Sequence, residues 1–329
     1  MTASVGSIHP LDPLGSSELA AAVAQAKVAW KLDHRHLFAM VQLDEPTKTE
    51  LTNLQPNSPV VRRARMMVWD KSRGVVCEGV LVLGGATGAL VEIAGAKAPV
   101  LSSESEQAIA AVRTDTRIIE ALLQRGINDV HTVHMETWPI GAQMPKYLDI
   151  GRRVIWTPMW HCPTPQANFY AHPIGGLHAI VDLDTGEVVD VENDQQIPIP
   201  QTPGPYRESQ TGANIGLKEL AITQPDGASF TVNGWRIDWE RWNMRIGFCQ
   251  REGLVIHEVQ FDDNGVERRI ARRLSIAELV IPYGDPSQGA YRKNAFDTGE
   301  FGLGNYTNSL TLGCDCLGEI VYLDAAVTQ

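Results

Sequence analysis

The stretch SFTVNGWRIDWERWNMRIGF, from Ser229 to Phe248, decides the fold of the C-terminal third of the chain. Within it, Trp235, Ile237 and Trp239 alternate with polar residues, and a second alternating series starts at Trp242. Alternation of apolar and polar residues is typical of a β-strand with one buried face. The three-residue step from Trp239 to Trp242 shifts the phase, so we predict one long strand with a bulge or bend at that point.

The segments after this stretch are strand-like and show almost no helical period. Leu254 to Phe261 and Val266 to Leu274 flank the sequence Asp262-Asp263-Asn264-Gly265, which is typical of a β-hairpin turn. Two later segments are also predicted strands: Ser309 to Leu312 and Glu319 to Asp324. This pattern over residues 215–329 therefore predicts the first part of a large β-sandwich, incomplete in this chain. We expect its open strand edges and apolar face to need cover from another polypeptide.

The N-terminal part of the chain combines helices with strands. Apolar residues between Ser17 and Leu32 recur at helical spacing, which predicts an amphipathic helix over that range. Four strand-like segments follow, separated by turns that contain Pro, Gly or Ser: His36 to Leu43, Val61 to Trp69, Val75 to Leu83 and Ala89 to Ile93. A helix followed by a meander of strands predicts a first small α+β domain over residues 1–95.

Residues 96–196 repeat this plan. Ser103 and Glu106 have the spacing of a capping box, ahead of the apolar segment Ala108 to Val112. A second helix is predicted from Arg117 to Arg125 and ends at Gly126, a typical C-terminal stop. The predicted strands are Val130 to Met135, Arg153 to Trp156 and Leu177 to Asp182. This range therefore predicts a second small α+β domain.

A faint internal repeat connects the two small domains. Val68 to Val76 and Ile180 to Val188 both predict a strand, a tight turn with glycine and a second strand. An internal duplication and a chance resemblance of two hairpins explain this pattern equally well. Residues 197–214 then form a proline-rich linker, which we expect to be extended and to contain no helix or central strand. The predicted fold class is α+β followed by all-β.

The composition excludes several classes of protein. Of 329 residues, 43% are hydrophobic and 20% are charged, which is typical of a globular protein and not of a disordered chain. The net charge of −11 disfavours nucleic acid and anionic membranes as partners. No apolar run reaches about 18 residues, and the opening MTASVGSIHP predicts no secretory signal. Five scattered cysteines predict neither a disulfide scaffold nor a zinc finger.

Few residues stand out as catalytic from their pattern alone. His34 and His36 have the spacing of metal ligands on a strand, but no third ligand lies nearby in the sequence. We interpret them, and likewise His131 and His134, as structural or solvated histidines. Asp297 is more informative, because it follows an aromatic residue in a glycine-rich stretch and desolvation makes a carboxylate a stronger base. Without a visible partner group, the pattern alone favours a local turn in which Asp297 caps backbone N–H groups.

Five segments in the C-terminal third resemble one enzyme family. In order, they are SFTVNGWRIDWERWNMRIGF (229–248), REGLVIHEV (251–259), ELVIPYGDP (278–286), FDTGEFGLG (296–304) and LGCDCLGEIVYLDA (312–325). By these segments and their spacing, Leu217 to Asp324 resembles the copper-containing amine oxidases that use a topaquinone cofactor. The two N-terminal domains resemble the pair of small domains of that family, most clearly at NFYAHPIGG (168–176).

The resemblance implies roles for individual residues. Asp297 falls on the catalytic base, which removes a Cα proton from the substrate Schiff base formed on the quinone. Tyr283 falls on the tyrosine that hydrogen-bonds a cofactor oxygen, and Ala295 falls on the gate, where some relatives carry a bulky aromatic residue. Cys316 falls on one half of a disulfide whose partner lies outside this chain. The further substrate-binding positions that the resemblance implies are Phe296, Gly299, Phe301 and Tyr170.

The chain departs from the family in two respects. Asn305-Tyr306-Thr307 lies at the wrong place, and has the wrong third residue, for the Asn-Tyr-Asp/Glu motif of the modified tyrosine. The family's His-x-His pair and later histidine, which bind copper, are also missing from the matching region. The resemblance therefore implies that copper and topaquinone come from residues outside this chain.

These observations predict a portion of a primary-amine oxidase, active only with the part that carries the cofactor and copper. The reaction converts a primary amine, O2 and water into an aldehyde, ammonia and hydrogen peroxide. The expected partners are the amine, O2 and the rest of the oxidase, on the same or a second polypeptide, in a dimer of complete units. The alternative is a non-catalytic half-length relative that binds amines or a partner protein. We expect a cytoplasmic location, or a peroxisomal one in a eukaryote.

Overall fold

The computed structural model of the protein describes residues 8–55, 59–140, 145–146, 148, 151–194, 196–212, 216, 218–286, 290–313 and 315–327. The chain forms two compact units. The first comprises Met1–Pro99, Glu219–Leu279 and Asp297–Gln329, and the second comprises Val100–Lys218 and Val280–Phe296. In the described ranges, no helix is both long enough and apolar enough to cross a membrane. The predicted domain boundaries after residues 95, 196 and 214 stay a prediction, and residues 213–215 lie outside the described ranges.

The first unit begins with a helix packed on a four-stranded antiparallel sheet. Its elements are α1 (Ser16–Ala29), β1 (His36–Leu43), α2 (Lys48–Thr52), β2 (Arg63–Asp70), β3 (Val75–Val82) and β4 (Val91–Glu92), with the strands in the order β1-β2-β3-β4. Leu19, Ala22 and Ala26 of α1 are buried in one apolar cluster with residues of β1, β2 and β3. Burial of this apolar face explains why the helical spacing in the sequence predicts the helix correctly.

The second unit places two helices on a second four-stranded antiparallel sheet. Its elements are α3 (Ser102–Thr114), α4 (Thr116–Gln124), β5 (Val133–Met135), β6 (Trp138–Pro139), β7 (Val154–Thr157), β8 (Met159–His161), β9 (Leu177–Asp182) and β10 (Val188–Asn193). The sheet has the order β10-β9-β7-β6, and β5 pairs separately with β8. Every residue of β9 is buried, and the apolar residues of both helices pack against this strand. The predicted helix stop is confirmed, since Gly126 has a φ of 81° just beyond α4.

The predicted capping box of Ser103 and Glu106 is wrong. Ser103 lies inside α3, and the Leu101 N–H instead donates to the Glu104 carboxylate at 3.1 Å. The same carboxylate forms a buried ion pair with Arg153 through two contacts of 2.9 Å. A buried arginine needs a carboxylate partner. The start of α3 at Ser102 places the Glu104 carboxylate within reach of both the Arg153 guanidinium and the Leu101 N–H.

The two hairpins of the faint internal repeat have the same turn geometry. In each, the aspartate at the end of the first strand accepts hydrogen bonds from the N–H groups two and three residues later. These aspartates are Asp70 and Asp182, and the turns end at Gly74 and Gly186, which have φ values of 67° and 74°. The similarity therefore extends to the local turn chemistry, where glycine provides the left-handed conformation.

The proline-rich segment is irregular up to Arg207, but it contains a one-turn helix, α5 (Glu208–Thr211). The expectation of a segment without a helix is therefore wrong at this point. The last proline in the segment is Pro205, so the four residues of α5 have free N–H groups and meet no backbone restriction from proline.

A five-stranded antiparallel meander follows in the first unit. Its strands are β11 (Phe230–Asn233), β12 (Arg236–Trp239), β13 (Trp242–Cys249), β14 (Gly253–Asp263) and β15 (Val266–Ser275). The prediction of one long bulged strand is wrong, because the chain reverses at Glu240, which has a φ of 52°, and Trp239 pairs with Trp242. A two-residue turn shifts the alternation in the same way as a bulge, so the pattern alone does not distinguish the two. The hairpin at Asn264 and Gly265 is confirmed.

The chain ends with a short hairpin and irregular segments. The elements are β16 (Val280–Pro282), β17 (Asn294–Phe296) and a single helical turn, α6 (Asp297–Glu300). The strands predicted at residues 309–312 and 319–324 are wrong: the described residues there show only an isolated bridge between Leu312 and Cys316. Strand formation depends on a neighbouring strand, which a local pattern does not reveal.

In the first unit, polar side chains join the meander to the N-terminal sheet. The Gln250 side chain accepts a hydrogen bond from the Val41 N–H at 3.0 Å and donates to the Ala39 carbonyl at 3.5 Å. The pairing of β1 with β2 is irregular between Phe38 and Met40, so Gln250 fills the interruption in the backbone ladder. The two hydrogen bonds join residues about 210 positions apart in the sequence and connect the two sheets of the unit.

Candidate functional site

The hairpin of β16 and β17 positions several predicted site residues in the second unit. Ile281 lies opposite Ala295, and the Tyr283 N–H donates to the Lys293 carbonyl at 3.2 Å. Ala295 is only 7% exposed, whereas Phe296 and Tyr283 are exposed to about two-fifths and one-half. The antiparallel register thus brings Tyr283 and Lys293 to the same end of the hairpin.

Aromatic side chains surround Tyr283 and Tyr170. The Tyr283 ring meets Trp138 edge-on at 5.4 Å between centroids, and the Tyr170 ring meets Trp160 edge-on at 5.5 Å. We define the aromatic cluster as Trp138, Trp160, Phe169, Tyr170 and Tyr283, all in the second unit. It contains two residues that the resemblance assigns to the site and three that the sequence analysis missed. Trp138 and Trp160 belong to β6 and β8, strands too short to show a pattern.

Glu136 is the carboxylate of the aromatic cluster. It accepts hydrogen bonds from the Tyr170 hydroxyl at 2.5 Å and the Trp138 Nε1–H at 3.0 Å, and His134 Nε2 lies at 3.4 Å. Partial burial opposes its ionisation, but these contacts from His134, Tyr170 and Trp138 outweigh burial and lower the pKa of Glu136 to about 2. The hydrogen bond to Glu136, followed by burial, raises the pKa of Tyr170 to about 12. Glu136 is therefore anionic, and Tyr170 stays protonated, at neutral pH.

The Lys293 ammonium lies among three of these rings. Its Nζ atom is 4.5 Å from the Tyr283 centroid, 5.0 Å from Trp138 and 5.9 Å from Trp160. Such distances are those of cation–π contacts. Within the part of the chain that the structure describes, Lys293 has no carboxylate within ion-pair distance.

Asp297 lies in the first unit, at the start of α6. Its N–H donates to the Leu279 carbonyl at 3.2 Å. The N–H groups of Thr298 and Gly299 donate to the Glu278 carboxylate at 2.8 and 3.0 Å. Glu278, and not Asp297, therefore caps this turn, so the interpretation of Asp297 as a local cap is wrong. Among the described residues, the Asp297 carboxylate accepts no hydrogen bond and is partly buried.

The loop around Asp297 has little space at Gly299. A Cβ atom at this position would lie 2.9 Å from a Glu278 carboxylate oxygen, so a larger residue would require the Glu278 side chain to move. Phe301 is partly buried and contacts the Tyr306 ring edge-on at 5.4 Å. The roles of these residues in substrate binding stay predictions.

Cys316 is partly exposed, and its sulfur lies 3.4 Å from the Tyr322 hydroxyl. Cys314 lies outside the described residues. The disulfide of Cys316 with a residue outside this chain stays a prediction.

Copper amine oxidase models match two parts of the chain: the N3 domain over residues 103–209 and the enzyme domain over residues 231–329. A primary amine oxidase of Arthrobacter sp. (strain P1) is 40% identical over 323 residues, which cover 97% of this chain and 49% of that protein. The chain belongs to the copper amine oxidase family. The order of the two matched domains fits the N-terminal half of a copper amine oxidase.

Other copper amine oxidases agree with this assignment. A copper-containing diamine oxidase of Nicotiana tabacum, described as peroxisomal, is 34% identical over 98% of this chain and 46% of its own length. The crystal structure of a copper-containing benzylamine oxidase from Hansenula polymorpha superposes with a TM-score of 0.82, at 24% identity, over 97% of this chain and 52% of that one. The superposition confirms the predicted fold class, α+β followed by all-β. The chain spans about half the length of the curated relatives it matches.

Copper and topaquinone are the cofactors of this family, as the resemblance implied. In the ranges that the structure describes, no group of three or more His, Cys, Asp or Glu side chains is arranged to hold a metal ion. The described residues therefore do not fit copper.

Proposed function

We propose that this chain is the part of a copper- and topaquinone-dependent primary-amine oxidase that supplies the catalytic base. The overall reaction is RCH2NH2 + O2 + H2O → RCHO + NH3 + H2O2. Asp297 accepts the Cα proton of the bound amine. Copper and topaquinone would supply the redox chemistry and would be held by residues other than the described ones. The match of FDTGEFGLG to the family and the similarity to primary amine oxidases support this proposal.

One observation carries the assignment of Asp297. The Glu278 carboxylate accepts hydrogen bonds from the Thr298 and Gly299 N–H groups. An aspartate side chain at position 297 would otherwise be expected to cap these groups. Among the residues that the structure describes, none donates to the partly buried Asp297 carboxylate, and a general base needs an unoccupied oxygen that can face the proton. The protein as a whole is proposed to act as a dimer of complete units, in the cytoplasm or, in a eukaryote, in the peroxisome.

The family resemblance assigns further residues of this chain to the binding of the amine. Ala295 presents only a methyl group, so we propose that the gate position leaves the channel open without a side-chain rotation. Tyr170 and Phe301 are proposed as aromatic walls for the substrate. Tyr283, whose hydroxyl has no hydrogen-bond partner among the described residues, is proposed to contact a cofactor oxygen.

The test is the single-turnover reduction of the quinone by an amine, in the protein isolated with any polypeptide that accompanies this chain. Asp297→Asn keeps the shape of the side chain and removes the base, so the rate is expected to fall ~10²–10⁴-fold. Asp226→Asn, at an exposed aspartate, is the matched control and should react as the wild type. A reduction rate of Asp297→Asn close to that of the wild type contradicts the assignment. A protein without any amine oxidation supports the non-catalytic alternative.

A further inference from the structure

Lys293 occupies an aromatic cage, which we define as the rings of Trp138, Trp160 and Tyr283. All three centroids lie within 6 Å of its Nζ atom. The negative faces of aromatic rings attract ammonium ions, and structures of this kind bind organic cations in other proteins. The same three rings could therefore accept the ammonium group of another molecule.

The contacts of the Lys293 ammonium allow another ammonium ion to replace it in the aromatic cage. No carboxylate lies within ion-pair distance of its ammonium among the residues that the structure describes, so the rings are its main attraction there. Its stem is four methylene groups long and rotates freely in solution. An ammonium held by ring faces alone can be replaced by another ammonium without leaving a buried charge unpaired.

The walls of the cage do not depend on Lys293. Trp160 belongs to β8 and is 7% exposed, and the Trp138 Nε1–H donates to Glu136. Trp138 is also paired with Trp156 across β6 and β7, so its backbone is held by the sheet. The cage is therefore formed in advance, which lowers the cost of binding a ligand.

The charge near the cage also favours a cation. Glu136, which is bonded to Trp138 and to Tyr170, is anionic because hydrogen bonds hold its pKa at about 2. Tyr283 is exposed to about one-half, so one wall of the cage faces solvent. A small organic cation thus has both an attractive field and a path of entry.

We propose that the aromatic cage is a binding subsite for an organic ammonium ion and that Lys293 is its intramolecular competitor. Binding is an exchange: the ammonium of the ligand enters as the Lys293 side chain moves into solvent, with no change in covalent bonds. The identity of the natural ligand as a protonated primary amine rests on the proposed function. The cage itself requires neither copper nor a quinone.

The first experiment is calorimetric titration with tetramethylammonium chloride, with sodium chloride of equal ionic strength as the reference. A tethered lysine acts at an effective concentration in the millimolar range or above. Lys293→Met removes this competitor, so the Kd for tetramethylammonium is expected to fall at least tenfold. Trp138→Leu in the Lys293→Met background should abolish this gain. Lys71→Met, at an exposed lysine of the first unit, has the same change of charge and should bind as the wild type.

The second experiment uses the wild-type protein and does not depend on the folding of a variant. Acetylation of Lys293 is followed by mass spectrometry, with Lys71 as the internal reference. Saturating tetramethylammonium should displace Lys293 and raise its acetylation rate several-fold, while the rate at Lys71 stays constant. An unchanged rate at Lys293 overturns the proposal, and so does an equal Kd for the wild type and Lys293→Met. Tetramethylammonium has no N–H and cannot be deaminated as a primary amine. A failure here therefore leaves the proposed oxidation untouched, and inactivity of the oxidase leaves this subsite untouched.

Discussion

Glu136 and Asp297 are both partly buried carboxylates, but their surroundings differ in one decisive respect. Glu136 accepts hydrogen bonds from two neighbouring side chains, and a histidine nitrogen lies beside it, which keeps its pKa at about 2. The Asp297 carboxylate accepts none from the described residues, because the nearby Thr298 and Gly299 N–H groups donate to Glu278. A carboxylate whose lone pairs are occupied is a structural anion, whereas one with free lone pairs can receive a proton. Both carboxylates are partly buried, so burial does not distinguish them. The number of hydrogen-bond donors around each carboxylate does.

Among substitutions that keep Asp297, the largest effect is expected at Ala295, and it tests whether Asp297 acts beside an open channel. Ala295→Tyr places a bulky ring at the gate, so kcat/KM for an arylalkyl amine should fall more than for methylamine. One hindered contact shifts such discrimination by ~1–3 kcal/mol, or roughly 10- to 200-fold. Steady-state kinetics with both amines measure the ratio. If both amines lose kcat equally, the ring has distorted Asp297 and the interpretation of Ala295 as a gate is wrong.

The next prediction concerns the residue that keeps Asp297 free. Glu278→Ala removes the acceptor of the Thr298 and Gly299 N–H groups, and each hydrogen bond to a charged group contributes ~1.5–3 kcal/mol. Because this site is partly exposed, we expect the lower end of that range, or about a tenfold loss of protection. Hydrogen exchange of the peptide covering residues 296–301 measures it, with Glu319→Ala at an exposed site as the control. Unchanged protection would show that another group caps the turn.

The last prediction concerns Glu136, and its effect depends on pH. The folded pKa of about 2 lies below the ordinary value of 4.5, so the carboxylate stabilises the fold above pH 4.5 and loses this contribution as the pH falls towards 2. After allowance for solvent, Glu136→Gln should lower the free energy of unfolding by about 1–2 kcal/mol at pH 7 and by almost nothing near pH 2. Urea unfolding at several pH values measures the difference, with Glu120→Gln as the exposed control. A difference that is constant with pH would show that Glu136 is not the ionised acceptor described here.

Local patterns predicted those parts of the fold that depend on local chemistry. The residues of β1 and β9 match their predictions, since each is an apolar strand between turn residues. The turn at Asn264 and Gly265 was predicted because that dipeptide favours left-handed backbone conformations. The reversal between Trp239 and Trp242 was not, because a bulge and a two-residue turn produce the same alternation. The strands predicted at residues 309–312 and 319–324 are absent from the structure of the described residues there. A strand needs a partner strand, and the local sequence pattern does not show whether one is present.

The same distinction applies to the candidate site. The sequence by itself determined the family and the FDTGEFGLG segment, because these depend on which residues follow one another. Only the tertiary structure decided that Glu278 caps the turn at Asp297 and that Lys293 lies among the rings of Trp138, Trp160 and Tyr283. These groups are separated by 19 to more than 150 residues of chain. Whether a carboxylate is free or occupied depends on the distances between such groups in space, and spacing along the sequence contains no measure of those distances.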